Sequence, residues 1–448
     1  MRLTFCGGAR SVTGANYLLE TKNHKILIDC GLFQGSLASN QLNFRDFSYD
    51  PKTIEAVILT HAHLDHCGRL PWLYKHGFRG QVFCTAPTRD FTKLVLLDSE
   101  RIWRKQEPHL LKLFNLADVN GVLGLFEIYD YHRQISLGSD LSFQFKNAGH
   151  ILGSAIVEII AEKQKLVFSG DLGNPPTPLL PDPETVEQAD YVIIESAYGD
   201  RAHQSRQVCQ GEFENIIEDV VAQNGVLMVP VFTIERVQEL LYELNALVEH
   251  KRIPQVPIFL DSPLAIEATQ VYRKYRQYFS QQAAQLVASG DDIFNFPGLK
   301  LTLTKEESKE INQIPSPKII LAGSGMSEGG RICYHELHYL SNPQNVLLII
   351  SYQTQGTLGR KLIDGHKKVV IFGHAVRVNA KIKLLEGYSS HADQPGVIRW
   401  LAAIAKPIKK VFIVQGEIEA AQSLSQQIND CLGVPALVPK TDQVFELL

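Results

Sequence analysis

The amino-acid sequence predicts an α/β protein with mixed sheets, formed by both ends of the chain, with a second α/β domain inserted in the middle. Three observations lead there. Over roughly the first 200 positions, short apolar runs ending in small or acidic residues follow one another with few helices between them. From about Arg206 the texture becomes an alternation of helix and strand. After about Ala380 the first texture returns.

In the first part, "NYLLET", "HKILIDCG", "EAVILTH", "GQVFCTA", "LSFQFKNAGH", "SAIVEIIA", "KLVFSGD" and "DYVIIESAYGD" read as strands. "TRDFTKLVLLDSERIWRKQ" carries apolar residues at three- and four-residue spacing and reads as a helix. The middle opens with "GEFENIIEDVVAQNGVLMVPVFTIERVQELLYELNALVEH", which alternates helix, strand and helix. "VPIFLDSP", "PKIILAGSG", "NVLLIISYQ" and "KKVVIFGHAV" are further strands, with helices between several of them, and this βαβ order predicts a parallel sheet. The last part reads as "KIKLLEGYSSHAD", a helix, "KKVFIVQGE" and a closing helix. The expected domains are residues 1–205 with 381–448, and the insertion 206–380.

A chain of 448 residues has room for two domains or one large domain with an insertion. With 44 basic and 48 acidic residues the net charge is −4, so no global basic field draws a polyanion. Binding one needs a local cationic groove or metal ions. The runs "RKYR" (273–276), "GRK" (359–361) and "HKK" (366–368) can contribute, or can simply be solvated faces. Seven cysteines, scattered singly without a C-x-x-C pair, point to a reducing cytoplasm and away from a disulfide framework or zinc ribbon. The N-terminal apolar stretch is too short for a signal peptide. No run approaches the roughly 20 apolar residues of a membrane span. The expectation is a cytoplasmic protein with no membrane contact.

The chemistry is densest in "LTHAHLDHCGRLPWL" (59–73), which places His61, His63, Asp65 and His66 within six residues. His61 and His63 are two apart and point the same way from an extended segment. Asp65 and His66 follow where the loop becomes a helix, so one strand-to-loop corner can aim four ligands at a point. Imidazole and carboxylate without thiolate suit Zn²⁺, or Mn²⁺ and Fe at a mixed site. A hydrolytic site needs further donors and an open position. Three other strand ends offer them: Asp29 after "KILI", His150 in "FKNAGHILGS" and Asp171 after "KLVFSG". Singly, the aspartates also read as turn caps and His150 as a structural histidine. Their shared place at the C-terminal end of an apolar strand favours the site.

This order, Asp29, His61-x-His63-x-Asp65-His66, His150, Asp171, resembles the metallo-β-lactamase superfamily, an αββα sandwich with a metal site along one sheet edge. "IESAYGDR" (194–201) and "GYSSHADQ" (387–394) look like two motifs of its β-CASP nuclease branch, which includes RNase J and the mRNA 3′-end-processing endonucleases. "AGSGMSEGGR" (322–331) and "SYQTQGTLGRKL" (351–362) are similar to segments of the β-CASP cap. The resemblance spans essentially the whole chain. It implies a chain without the N-terminal RNA-binding extension of the archaeal relatives or the C-terminal domain of RNase J.

The resemblance implies one metal held by His61, His63, His150 and Asp171, and a second held by Asp65, His66 and the bridging Asp171. Two zinc ions are thus expected. Asp29 would orient ligands from behind, and His391, supported by Glu195, would protonate the leaving 3′-oxygen after hydroxide attack. An imidazolium in reach of a poor leaving group speeds departure by about 10²–10⁴-fold, and a neighbouring carboxylate raises its pKa and fixes its tautomer. One position departs from the pattern. The family's last motif has the form V-H-G-E, whereas this chain reads "VFIVQGEIEA", with Gln415 in the histidine position. An amide oxygen is a weak zinc ligand, so the second site is expected to be weak, to prefer Mn²⁺, or to be empty.

For substrate, backbone N–H groups at the "AGSGMSEGGR" corner, Ser324 and Gly325 among them, can hold a phosphate, or can form a tight turn with a helix cap. Arg331 and Arg360 are the cations expected to grip phosphates. A cap facing a metal edge forms a slot, which suits single-stranded nucleic acid. The leading expectation is a metal-dependent ribonuclease acting on single-stranded RNA. One rival is a catalytically weak RNA-binding or assembly partner, because of Gln415. Another is a small ester or thioester hydrolase, against which the large cap and His391 argue. The family also suggests a homodimer.

Overall fold

The computed structural model describes residues 1–35, 37–405 and 407–448. The chain divides into two compact units. One comprises Met1–Thr177, Pro181–Ala202 and His391–Leu448, and the other Pro178–Leu180 and His203–Ser390.

The first unit is built on two seven-stranded sheets. One runs in the order Val444–Glu446, Arg2–Gly7, Asn16–Glu20, Lys25–Ile28, Ala56–Ile58, Gln81–Cys84, Phe126–Ile128. The other runs Ala436–Leu437, Lys410–Val414, Tyr191–Glu195, Gln164–Phe168, Ala155–Ala161, Leu141–Asn147, Ile135–Leu137. Phe5, Ile28 and Phe83 from the first and Phe143, Phe168 and Phe412 from the second fill one core between the sheets. Ring pairs join the layers directly: Phe5 to Phe412 at 5.2 Å and Phe83 to Phe143 at 5.3 Å between centroids. The opposite face of the second sheet is covered by the helices Gln394–Ala402 and Ile418–Leu432, whose Val397, Leu401, Leu424 and Ile428 pack on Val192, Ile194 and Ile413.

Strand chemistry follows position in the sheet. "LSFQFKN" alternates buried and half-buried residues, as expected one place from an antiparallel edge. "YVIIE" is buried throughout because parallel strands flank it and helices cover its outer face. The parallel ladders matter for function. They bring the C-terminal ends of Lys25–Ile28 and Ala56–Ile58 level in one sheet, and those of Gln164–Phe168, Tyr191–Glu195 and Lys410–Val414 level in the other.

The second unit holds a six-stranded, wholly parallel sheet in the order Leu299–Leu301, Ile258–Asp261, Lys318–Ala322, Val226–Pro230, Val346–Ile349, Lys381–Leu384. Two details differ from the sequence reading. Lys381–Leu384 pairs with Val346–Ile349, so the chain is still in this unit at residue 384 instead of leaving it at 380. "KKVVIFGHAV" is not one strand. It folds into the hairpin Lys368–Ile371 and His374–Arg377, because Phe372 and Gly373 both adopt positive φ, 49° and 80°. Among the described residues no helix is long and apolar enough to cross a membrane.

Asp261, at the end of its strand and fully buried, organises the unit. It accepts from Thr302 Oγ1 at 2.5 Å, Ser308 Oγ at 2.6 Å, His335 Nε2 at 2.7 Å and Arg331 Nη1 at 2.6 Å. Burial alone would raise its pKa, but these donors hold it at about 2. Glu336, on the helix Gly330–Tyr339, is the opposite case: burial pushes its carboxyl up to about 8, and the Ser327 hydroxyl at 2.5 Å opposes this only in part. An unfolded glutamate titrates near 4.3, so between that pH and about 8 the unfolded state loses this proton while the folded state keeps it. Stability falls as pH rises through that window. Glu336→Gln is therefore expected to leave the melting temperature near that of wild type at pH 4 and to raise it at pH 8. An equal shift at both pH values would contradict the assignment.

Candidate metal centre

The site grows from the loop after Ala56–Ile58. Thr60 precedes the histidines, His63 keeps an extended backbone with ψ 147°, and the four-residue helix Leu64–Cys67 turns Asp65 and His66 back toward the strand ends. The loop is pinned from the neighbouring strand end: Cys30 N–H donates to His66 O at 2.7 Å and Ala15 N–H to Asp65 O at 2.9 Å. Gly31 permits this approach, since a Cβ there would lie 1.5 Å from Asp65 O. Gly173 does the same for the loops carrying His150 and Asp171, where a Cβ would meet Gly149 O at 2.1 Å.

Asp29 acts as a bracket behind the ligands. Its Oδ1 accepts Thr60 N–H at 2.8 Å, and its Oδ2 accepts Thr60 Oγ1–H at 2.8 Å and His66 Nδ1–H at 2.7 Å. Thr60 Oγ1, its proton given to Asp29, can accept from His61 Nδ1 at 3.1 Å. Both imidazoles are thereby held with a proton on Nδ1 and with Nε2 turned to the centre. His61 is lowered by burial and keeps its lone pair there, whereas burial of His66 is outweighed by Asp171 and Asp29, which hold it well above the usual histidine range.

His61, His63, His150 and Asp171 then converge. Their ligand atoms lie within 4.8 Å of one another. His61 Nε2 and His150 Nε2 are each 3.1 Å from His63 Nδ1, and stand 3.3 and 3.4 Å from Asp171 Oδ2. Donors bound tetrahedrally about 2.0–2.1 Å from a shared cation lie about 3.3 Å apart, so these residues fit a metal ion. Protonation agrees. Burial, with the neighbouring imidazoles, pushes His63 and His150 well below the usual histidine range and lowers His61, keeping them neutral and able to ligate. Burial would raise Asp171, but His66 and His61 hold it well below the usual carboxylate range.

The second expected group is less assembled. His66 Nε2 is 3.2 Å from Asp171 Oδ1, but Asp65 stays outside the four-donor group, its carboxyl raised by burial. Gln415 sits between these residues with φ 50° at the end of Lys410–Val414. Its Nε2 donates to Asp171 Oδ1 at 3.0 Å and reaches His66 Nε2 at 2.6 Å, while its Oε1 accepts from Tyr17 OH at 3.2 Å. Gln415 occupies the expected histidine position and meets both donors with its amide nitrogen, a group that cannot ligate.

On the other side of Asp171, His391 Nδ1 bonds Glu195 Oε2 at 3.0 Å and stands 3.8 Å from Asp171 Oδ2. Glu195 is itself fixed, accepting Leu172 N–H on Oε1 at 2.6 Å, and Ala392 N–H donates to Leu172 O at 2.8 Å. Burial would lower His391, but Glu195 and Asp171 outweigh it and raise its pKa to about 9. Its side chain is 25% exposed, unlike the fully buried His61, His66 and His150.

The expected phosphate-binding residues all belong to the second unit. Ser324 Oγ accepts Glu328 N–H at 3.1 Å, and Gly325 packs under the Phe232 ring, its carbonyl accepting from Gln353 Nε2 at 2.9 Å. Arg331, expected to grip phosphates, is instead engaged within the unit. Its Nη1 bonds Asp261 and Thr302 O, and its Nη2 bonds Leu303 O at 2.7 Å. Arg360 pairs through Nε with Asp364 at 3.0 Å and is 41% exposed. Two contributors escaped the sequence reading. Thr60 could have been noticed beside the histidines, whereas Tyr17 on the strand Asn16–Glu20 carries no local signal.

Comparison with known proteins agrees with this geometry. A metallo-beta-lactamase superfamily domain matches residues 18–174, a Beta-Casp domain 237–362, and a Zn-dependent metallo-hydrolase RNA specificity domain 375–439. A ribonuclease of Thermus thermophilus is 40% identical over 95% of this chain and 95% of its own. An RNase J-like protein of Methanocaldococcus jannaschii is 31% identical over 98% of this chain and 97% of its own. Transcription termination factor FttA of Methanosarcina mazei is 30% identical over 96% of this chain and 69% of its own. With a divalent-metal donor set at the strand ends and relatives matching along its length, the chain belongs to the β-CASP nuclease branch of the metallo-β-lactamase superfamily.

Proposed function

We propose that this chain is a metal-dependent ribonuclease hydrolysing phosphodiester bonds of single-stranded RNA. The observation that carries this reading is that a four-donor group and a carboxylate-held imidazole meet on one carboxylate, Asp171. The ribonuclease of Thermus thermophilus and the RNA specificity domain support RNA as the substrate class. His61, His63, His150 and Asp171 would hold a zinc ion, since their chemistry and spacing suit it. Asp65, His66 and Asp171 would hold a second, weaker ion, zinc or manganese. Such ions, when bound, lower the pKa of water and neutralise charge developing on the phosphate.

The remaining roles belong to the protein. Asp29 and Thr60 fix the Nδ1 side of His66 and His61 and so turn Nε2 of each ring to the centre. With Nδ1–H held by Glu195, His391 Nε2 is the atom that carries a proton to the leaving 3′-oxygen. Arg360 and the Ser324–Gly325 loop would bind phosphates, whereas Arg331 serves the Asp261 cluster. A cytoplasmic location and a homodimer belong to the same reading.

Chelation is expected to abolish cleavage of single-stranded RNA, and returned zinc to restore it. His391→Ala should lower the cleavage rate about 10²–10⁴-fold with bound metal unchanged. Cleavage at the wild-type rate by this variant would remove His391 from the acid role. Gln415→His replaces a neutral amide by an imidazole beside His66 and Asp171. It is expected to raise the ion count under limiting zinc from about one toward two per chain, with higher activity in the same range. An unchanged count would show that position 415 does not govern the second ion.

A further inference from the structure

The hairpin Lys368–Ile371 and His374–Arg377 buries Val369, Ile371 and Val376 in the core of the second unit. Its other face presents Lys368, Val370, Ala375 and Arg377, all exposed. Lys368 stands directly opposite Arg377 in the ladder. Like charges in register destabilise a strand pair. Residues 365–385 carry Lys367, Lys368, Arg377, Lys381 and Lys383 and no acidic residue, in a chain of net charge −4.

The tip of the hairpin is equally unusual. Phe372 at φ 49° and Gly373 at φ 80° form a two-residue turn whose first position favours asparagine, aspartate or glycine. A bulky residue in that region is strained, and core packing does not explain it, because Phe372 is 51% exposed. The Phe372 ring lies against Tyr334, itself 63% exposed, at 4.5 Å between centroids. Val370, 68% exposed, lies between this aromatic pair and Lys368 along the strand.

An exposed aromatic pair with an exposed valine on the adjoining strand marks a contact surface, and the charge beside it selects the partner. A second copy docked by two-fold symmetry would bring the same cations against one another. Single-stranded RNA offers both complements, phosphates for the cations and unstacked bases for the rings. We propose that Tyr334, Phe372, Lys368 and Arg377 form a binding surface for single-stranded RNA, built wholly from the second unit and distinct from the residues that hold metal. The choice of RNA rests on the ribonuclease reading above.

The test uses the full-length, zinc-loaded protein and a fluorescent, phosphorothioate-linked RNA of about 12 unstructured nucleotides, read by anisotropy across a salt series. Phe372→Asn suits the turn and preserves the hairpin, and is expected to weaken binding about tenfold. Lys368→Gln with Arg377→Gln should weaken binding and reduce the slope of log affinity against log salt by about 1.4. Hydrolysis of a small chromogenic phosphodiester, which has no bases to stack, should match wild type in both variants. Unchanged affinity and salt slope would overturn the proposal. So would a change in oligomeric state with RNA affinity intact, which would make the face a protein contact. Should wild type cleave neither RNA nor the small diester, the ribonuclease reading fails by itself. Weakened RNA binding in the hairpin variants would in that case still support the surface.

Discussion

The first unit is organised around one buried carboxylate. Asp171 is 3% exposed and stands between His61, His150 and His391 on one oxygen and His66 and Gln415 on the other. Burying an unpaired carboxylate costs several kcal/mol, so a chain keeps one there only if its neighbours supply positive charge or hydrogen. The surrounding features follow from that need. Parallel pairing brings the strands ending near Asp171, Glu195 and Gln415 level. Gly170, at φ 53°, and Gly173 let the Asp171 loop pass close to Thr60 and to the His150 loop. The aromatic core between the sheets holds the two edges facing each other.

The two oxygens of Asp171 face different chemistry. Oδ2 belongs to a closed set of neutral imidazoles at tetrahedral spacing and to the protonated side of the site, where Glu195 anchors His391. Oδ1 faces His66 and an amide. Tyr17 can donate to Gln415 Oε1 or accept from its nitrogen, so the amide can present either end to His66 and Asp171 with Tyr17 still bonded. A histidine at the same place would offer a lone pair without that rearrangement. The asymmetry between the two expected metal positions therefore has two sources, the amide of Gln415 and the Asp65 carboxyl that stays outside the four-donor group.

Much of this was legible in the sequence, and the limits have physical causes. "HAHLDH" announces a metal because ligand spacing is local, and the strand-end aspartates and His150 stand out against apolar runs. The helix-strand alternation of the middle gave the parallel sheet for the same reason. What stayed hidden depends on partners far apart in the chain. Tyr17 lies 398 positions from Gln415, and nothing on its own strand marks it. Arg331 read as a phosphate ligand from its glycine-rich setting, but Asp261, 70 residues away, claims it. The hairpin at Phe372 was read as one strand because phenylalanine is a strand former and a poor turn residue. The boundary near residue 380 was misplaced because an exposed edge strand, "KIKL", has the same polar alternation as a linker followed by a strand.

The central claim is that Asp171, with His61, His63 and His150, forms the tighter of two unequal metal positions. Anomalous diffraction at the zinc edge, from crystals grown at limiting zinc, tests it most directly. The account predicts a strong peak bonded to those four residues at about 2.0–2.1 Å, with a weaker peak or none beside His66 and Gln415. Equal peaks at both positions, or a dominant peak at His66 with none among His61, His63 and His150, would contradict it.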